Sequence, residues 1–372
     1  ELGGDLRGRY ELINYATDAT GNERATRGRI RYRFRLDGHA VINPHGTVAF
    51  RLVSGDDSRS GNQTLGDPVD FGVNQIAIRR AYLTLTPWSD GRLPGDKGTW
   101  SFEFGRVPNP LVWKGHGQDK MLWDNDIALS GASTVFGYDL TDGARVFVNA
   151  GYYAIDETKQ GPDPYLVAGQ VGITGGGDRI SAGVRSTFHY FAELDSNFVK
   201  RGVDGEGGVT SAGGNIEDGL TGSFLGGELE VVEAQAFVAG RLGAVPVVAF
   251  GGYCRNLSAE PSRLYPDVGE EDSAYNLGIE FGDKKRWALL GFAWFHIEAN
   301  AFPSQFIDSD FLDGHTNRRG LLVYFSRRIL TATDFNVQAY DSDAIATGPA
   351  GLEDSVKDAD RFRLQVDLVY GF

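Results

Sequence analysis

The sequence predicts an all-β fold: a transmembrane antiparallel β-barrel of roughly sixteen strands, formed as a single domain over residues 1–372. Three observations carry that expectation. Segments with a period of two recur along the whole chain. The connections between them alternate between short and long. One segment, Arg27 to Asp37, reads RGRIRYRFRLD.

In that segment Arg27, Arg29, Arg31, Arg33 and Arg35 alternate with Gly28, Ile30, Tyr32, Phe34 and Leu36. A period of two is the strand period, so one face carries guanidiniums and the other is apolar and aromatic. At about 3.3 Å per residue the charged row is roughly 26 Å long. That approaches the apolar band of an outer-membrane barrel, about 25 Å before strand tilt. Unpaired cations cannot face a dry core, so the charged face must meet water and the other face something apolar. A solvated face of a soluble sandwich satisfies the same pattern; the rest of the chain separates the two.

The other segments repeat the alternation. Leu6, Tyr10 and Leu12 oppose Arg7, Arg9 and Glu11; Val48, Phe50 and Leu52 oppose Arg51; Ala81, Leu83 and Leu85 oppose Arg80, Tyr82 and Thr84. Trp100, Phe102 and Phe104 are expected to face outward, and Ile180, Ala182, Val184, Phe188 and Tyr190 oppose Arg179, Ser181, Arg185 and His189. Val247–Cys254 and Trp287–Ile297 are apolar on both parities; inward aromatics or a subunit contact would account for that.

Long polar connections are expected near 17–26, 55–74, 107–131, 156–164, 192–224, 258–272, 301–317 and 344–359. Short ones fall near Asn43–Gly46, Ser89–Gly98, Thr141–Gly143, Gly175–Asp178, Gly243–Val245, Asp283–Lys285 and Arg327–Ile329. Strict alternation means that the hairpins turn tightly on one side of a plane and loosely on the other. A membrane barrel requires this, with short periplasmic turns and long outer loops, and its closure removes the strand edges that lipid cannot satisfy. In the last segment Phe362, Leu364, Val366, Leu368, Tyr370 and Phe372 alternate with Arg361, Arg363, Gln365 and Asp367. The chain stops on an aromatic residue, which resembles the C-terminal signal read by the barrel assembly machinery.

Composition narrows the function. A net charge of −14 argues against a nucleic-acid partner. The single cysteine, Cys254, excludes an internal disulfide framework and a multi-cysteine metal site. No run of 18 apolar residues indicates a transmembrane helix. The chain opens at Glu1 without Met or an apolar leader, as expected of a mature protein whose signal peptide has been removed. Asp308–Gly314 bears a faint similarity to a calcium loop, but the spacing is off by one residue and the later glutamate is absent, so a solvated acidic loop is expected. No H-E-x-x-H pairing, G-x-S-x-G elbow or P-loop is present. No catalytic, metal or cofactor residue is assigned.

Phe102-Glu103-Phe104-Gly105-Arg106-Val107-Pro108-Asn109-Pro110, followed by Leu122-Trp123-Asp124-Asn125-Asp126, looks like the end of a strand and the inward-folded third loop of a porin. On these residues the whole chain resembles the putative porin family of bacterial outer-membrane barrels, distantly similar to phosphate-selective porins. No long lysine cluster like that of a dedicated phosphate porin is present. The resemblance implies a water-filled, trimeric barrel in the outer membrane, in contact with lipid and lipopolysaccharide, passing small hydrophilic solutes and ions by passive diffusion. In such a barrel Arg7, Arg9, Arg27, Arg29, Arg31, Arg33, Arg35, Arg51, Arg80, Arg361 and Arg363 would form one basic wall around the seam, because the last strand pairs with the first. The wall either favours anions modestly or is neutralised by loop carboxylates. The third loop, 107–131, would set the constriction through Asp119, Asp124 and Asp126. Tyr370 and Phe372 would serve assembly. Two rivals remain: a barrel enzyme of the lipase or protease kind, and a structural or adhesive barrel plugged by the 192–224 loop.

Overall fold

The structure is a computed structural model that describes residues 1–15, 26–55, 57, 59–66, 75–88, 92–93, 95, 97–113, 121–157, 162–177, 179–194, 215, 228–260, 269–312, 314–345 and 360–372. Its strands are β1 (Leu2–Tyr15), β2 (Arg27–Asn43), β3 (Gly46–Ser54), β4 (Gln63–Thr64), β5 (Ile76–Leu85), β6 (Gly98–Pro108), β7 (Ala128–Thr141), β8 (Ala144–Ala154) and β9 (Tyr165–Gly176). They continue as β10 (Ser181–Ala192), β11 (Leu229–Leu242), β12 (Val245–Asn256), β13 (Ser273–Gly282), β14 (Leu289–Ile297), β15 (Arg318–Leu330), β16 (Thr333–Ala344) and β17 (Asp360–Gly371). The two-residue β4 only extends the β3 position along β2, pairing with Arg31 and Tyr32. The other sixteen form an antiparallel ring that β17 closes against β1, from Asp5↔Gly371 to Tyr15↔Arg361.

Period-two patterning explains the wall. Along β9, buried Leu166, Ala168 and Gln170 alternate with exposed Val167 and Val171. Phe102, Phe104, Leu277, Leu368 and Tyr370 are likewise exposed on the convex face. An exposed apolar surface that continues around a closed ring is the one a bilayer covers. The ends of the chain meet at the short-turn rim. There the Gly4 amide donates to the Phe372 carbonyl (3.0 Å), the Phe372 amide donates to the Gly4 carbonyl (3.1 Å), and the Phe372 ring stacks on Phe34.

The two ambiguous segments resolve by what lies inside them. On β14, Gly291, Ala293, Phe295 and Ile297 are buried while Leu290, Phe292 and Trp294 are exposed. On β12, Phe250 and Cys254 point in, and Ala249 and Tyr253 point out. Both parities are apolar because the connection between β14 and β15 folds inward and sets aromatic rings against this part of the inner face. Phe311 lies 4.7 Å from Phe295 and 5.9 Å from Tyr340 between ring centroids. Phe302 and Phe306 pack with Trp123 and Phe191. The expected solvated acidic loop is therefore a buried strut. The Asp308 carboxylate accepts the amides of Asp310 (2.8 Å) and Phe311 (3.0 Å) and is used up in closing the helical turn Ser309–Leu312. Of 192–224, only 192–194 and Asn215 are described. The Asn215 amide is buried and donates to the carbonyl of Phe302 (2.9 Å), while its oxygen accepts the Ser304 amide (2.8 Å).

Candidate functional site

Strand register sets the inner face at the seam. Asp5, Arg7, Arg9 and Glu11 of β1 stand opposite Arg35, Arg33, Arg31 and Arg29 of β2. On the other side Arg9 faces Asp367 and Glu11 faces Gln365. The arginines are thus gathered into one wall, but carboxylates of the same parity are interleaved with them. Arg9 makes a two-pronged pair with Asp367, Nε to Oδ1 at 2.7 Å and Nη2 to Oδ2 at 2.8 Å. Arg33 pairs with Asp5 (2.8 Å), and Arg51 grips Asp37 at 2.6 and 2.9 Å. Glu11 is fully buried among Arg29, Arg31 (3.8 Å) and Arg363 (3.0 Å), and it also accepts the Gln365 amide (3.0 Å). Arg27 is exposed at the rim and Arg361 is buried within the wall.

A bulge adds a cation that the period of two hides. Arg51 pairs with Arg80 but Leu52 pairs with Ile78, so Arg79 is the inserted residue. It is buried, and its guanidinium donates to the carbonyls of Asp57 (2.8 Å) and Asp126 (3.2 Å). Strict alternation counted back from Arg80 would put Arg79 on the outer face.

The third loop separates its two described acids. Asp126 pairs with Arg35. Burial would raise its carboxyl, but Arg35, then Arg33 and Arg79, hold it below the usual carboxylate range. Asp124 does not face an arginine. Its carboxylate accepts the amides of Asp126 (2.8 Å) and Ser309 (2.9 Å), and its own amide donates to the Phe306 carbonyl (2.7 Å). Burial, then the neighbouring Asp308 and Asp126, push its carboxyl well above the ordinary value. Asp124 joins the third loop to the inward strut. Asp119 lies outside the described residues, as do Lys114, His116 and Lys120. Asp126→Asn should therefore move the reversal potential toward anions, whereas Asp124→Asn should leave it in place and loosen the junction. Equal shifts from both single variants in a salt gradient would contradict the division.

The strut brings in a further acid that sequence reading had left in solvent. Asp310 accepts from Arg9 (3.1 Å) and Gln365 (2.8 Å), and Arg363 donates to the carbonyls of Ser309 (2.8 Å) and Asp310 (2.7 Å). Arg59 reaches the carbonyls of Ser304 (3.2 Å) and Gly314 (3.3 Å). The missed signal was compositional: Phe302, Phe306, Ile307 and Phe311 are too apolar for a loop in water.

The sequence profile of a family described as putative porin matches residues 5–188. Those residues belong to the putative porin family. Solved structures similar in fold span the whole chain. OprB of Pseudomonas putida, in a high-pH structure, matches with a TM-score of 0.58 at 10% identity, covering 100% of this chain and 94% of that one. The outer-membrane channel DcaP of Acinetobacter baumannii gives 0.52 at 12%, covering 100% and 96%. The trimer form of the outer-membrane protein OmpT of Vibrio cholerae gives 0.50 at 12%, covering 100% and 98%. At these identities the likeness is one of fold. No curated protein matches the sequence. The profile match over residues 5–188 and the closed barrel together support an outer-membrane porin channel.

Proposed function

We propose that this porin is a passive diffusion channel for small hydrophilic solutes and ions, with an arginine-lined constriction and a modest preference for anions. The supporting observation is an imbalance of charge. Among the described residues Arg7, Arg9, Arg29, Arg31, Arg33, Arg35, Arg51, Arg79, Arg80 and Arg363 share the inner wall with fewer acids: Asp5, Glu11, Asp37, Asp126, Asp310 and Asp367. Guanidiniums remain charged at any relevant pH. Rungs about 6.6 Å apart on one strand let a hydrated anion pass from one to the next without a deep trap. The net charge of −14 belongs to the whole chain rather than to this wall. Charges outside the lumen are screened within about 8 Å at physiological salt.

The test is the reversal potential of single channels in a salt gradient, for the parent and for a variant with Arg29, Arg31 and Arg33 all changed to Gln. Anion preference should fall in the variant. Insertion should persist, because Glu11 keeps Arg363 and Gln365. A variant as selective as the parent would put the wall outside the ion path. A second reading, a plugged structural barrel, has one observation in its favour, the aromatic strut across the lumen. It predicts no conductance. The first reading makes the protein a channel rather than a hydrolase, with solutes as its partners. The trimer form of OmpT supports a homotrimer; lipid and lipopolysaccharide as its surroundings follow from the outer-membrane channel reading. The terminal Phe372 and Tyr370, on the outer face at the closing seam, are the residues we assign to recognition by the assembly machinery.

A further inference from the structure

Two adjacent turns on the short-turn rim carry a cluster of cations outside the lumen. One joins β13 to β14 and reads Asp283-Lys284-Lys285-Arg286-Trp287; the other is the β15–β16 hairpin, which opens Arg327-Arg328-Ile329-Leu330. The two are tied side by side. The Arg328 amide donates to the Lys284 carbonyl (2.8 Å), and the Asp334 carboxylate accepts from Lys284 Nζ (2.8 Å) and from Arg328 Nε (2.8 Å). Within the first turn the Asp283 carboxylate accepts the Lys285 amide (2.8 Å), and the Asp283 carbonyl accepts the amides of Arg286 (3.1 Å) and Trp287 (3.0 Å). Gly282 enters this turn at φ +93°, and a Cβ there would collide with the Ala288 carbonyl. The turn is thus held in one shape.

This pairing leaves cations over. Lys284 and Arg328 share Asp334, and Asp283 is the other acid of the cluster. Lys285, Arg286 and Arg327 are exposed, and among the described residues none of them has a carboxylate partner. Strand register puts Arg327 on the outer, apolar face. It stands opposite Phe335 and one outward step beyond Phe325, which lies between Leu290 and Val337. The Phe325 and Phe335 rings meet edge-on at 6.5 Å. Trp287 and Leu330, at the same rim, are each 68% exposed. Cations at the foot of an apolar column, with an indole beside them, are placed where hydrocarbon gives way to headgroups. The turns Asn43–Gly46, Thr141–Gly143 and Gly243–Val245 hold no lysine or arginine, so the charge is not shared by the whole rim.

We propose that this sector of the outer wall binds an anionic glycerophospholipid of the periplasmic leaflet, of which phosphatidylglycerol is the type. Its phosphodiester oxygens accept from Lys285, Arg286 and Arg327. Its acyl chains lie along Leu290, Phe325 and Phe335, and the Trp287 indole sits at the level of the glycerol. Charge complementarity selects the headgroup: a zwitterionic lipid brings its own ammonium and leaves the three cations uncompensated. The site lies outside the lumen, so it stands whether or not the channel conducts.

The test reads Trp287 emission from the full-length protein refolded into phosphatidylcholine vesicles that contain a bromine-labelled lipid. Bromine on an acyl chain quenches a neighbouring indole, and the part due to Trp287 is the difference between the parent and Trp287→Phe. Labelled phosphatidylglycerol and labelled phosphatidylcholine share their chains and differ in headgroup charge. In the parent, phosphatidylglycerol should be preferred by about fivefold or more, fivefold being what one basic residue contributes near an anionic surface. The preference should vanish when Lys285, Arg286 and Arg327 are all changed to Gln, and should shrink in concentrated salt. Equal quenching by the two lipids in the parent overturns the proposal, as does a preference that the triple variant keeps. Equal quenching, with retention on peptidoglycan sacculi that the triple variant loses, overturns the lipid and assigns the patch to an acidic polymer. The triple variant leaves Asp334 with Lys284 and Arg328 and should fold. If it does not, Arg327→Gln alone and the salt series still decide.

Discussion

Replacing residues 301–312 by a short Gly-Ser link should raise single-channel conductance to roughly double or more, because lumen width sets the current. The segment occupies the inside of the ring, where Phe302, Ile307 and Phe311 are fully buried. Its loss removes an apolar contact worth about 1.5–3 kcal/mol per side chain, yet the ring itself is closed by strand ladders that do not include it. Anion preference should rise at the same time, since Asp310 no longer offsets Arg9 and Arg363. The strut should stay docked in mild acid. Burial would raise the Asp310 carboxyl, but Arg9 and then Arg363 pull it well below the ordinary value. An acid depressed in the folded state stabilises that state above its unfolded pKa, about 3.9, and loses this only as the pH falls through the lower folded value. This contribution should therefore remain intact from pH 7 to about pH 4. Unchanged conductance on excision would mean that the segment lies off the ion path.

Glu11→Gln should destabilise the barrel by about 3–5 kcal/mol, the cost of removing one member of a buried charge cluster. The substitution keeps the shape and takes away the carboxylate charge that Arg29, Arg31 and Arg363 share. The urea midpoint in lipid vesicles should fall, and channels that do form should be more anion-selective than the parent. A stable variant with the parent's reversal potential would show that water already screens these pairs. The same experiment on Asp367, which holds Arg9 and Arg7, gives an independent check at the next rung.

The barrel was legible because its determinants are local. Alternation, hairpin length and the C-terminal apolar row are properties of neighbouring residues, and they placed β1, β2, β6 and β17 on the correct faces. The inside of the lumen depends on contacts remote in sequence, and these were not legible. Asp310 meets Arg9 across a separation of 301 residues, and no local pattern reports that. Arg79 was lost because a bulge breaks the period on which the assignment depended. Asp124 and Asp126 share a parity yet diverge, since a loop need not obey the alternation of a strand. Glu11 and Asp367 could have been found: both lie on the arginine parity, and counting acids along with bases on that face would have shown a paired wall.

The strut has an electrical consequence. Trp123, Phe191, Phe302 and Phe306 form a dry mass of low polarisability inside a tube of water. Field lines avoid such material and crowd into the aqueous remainder. Arginines beside it are screened from one side only, so their potential should extend farther along the axis than the bulk screening length, about 8 Å at 0.15 M. Current should then level off at a lower salt concentration than in a barrel of the same open cross-section filled by water alone.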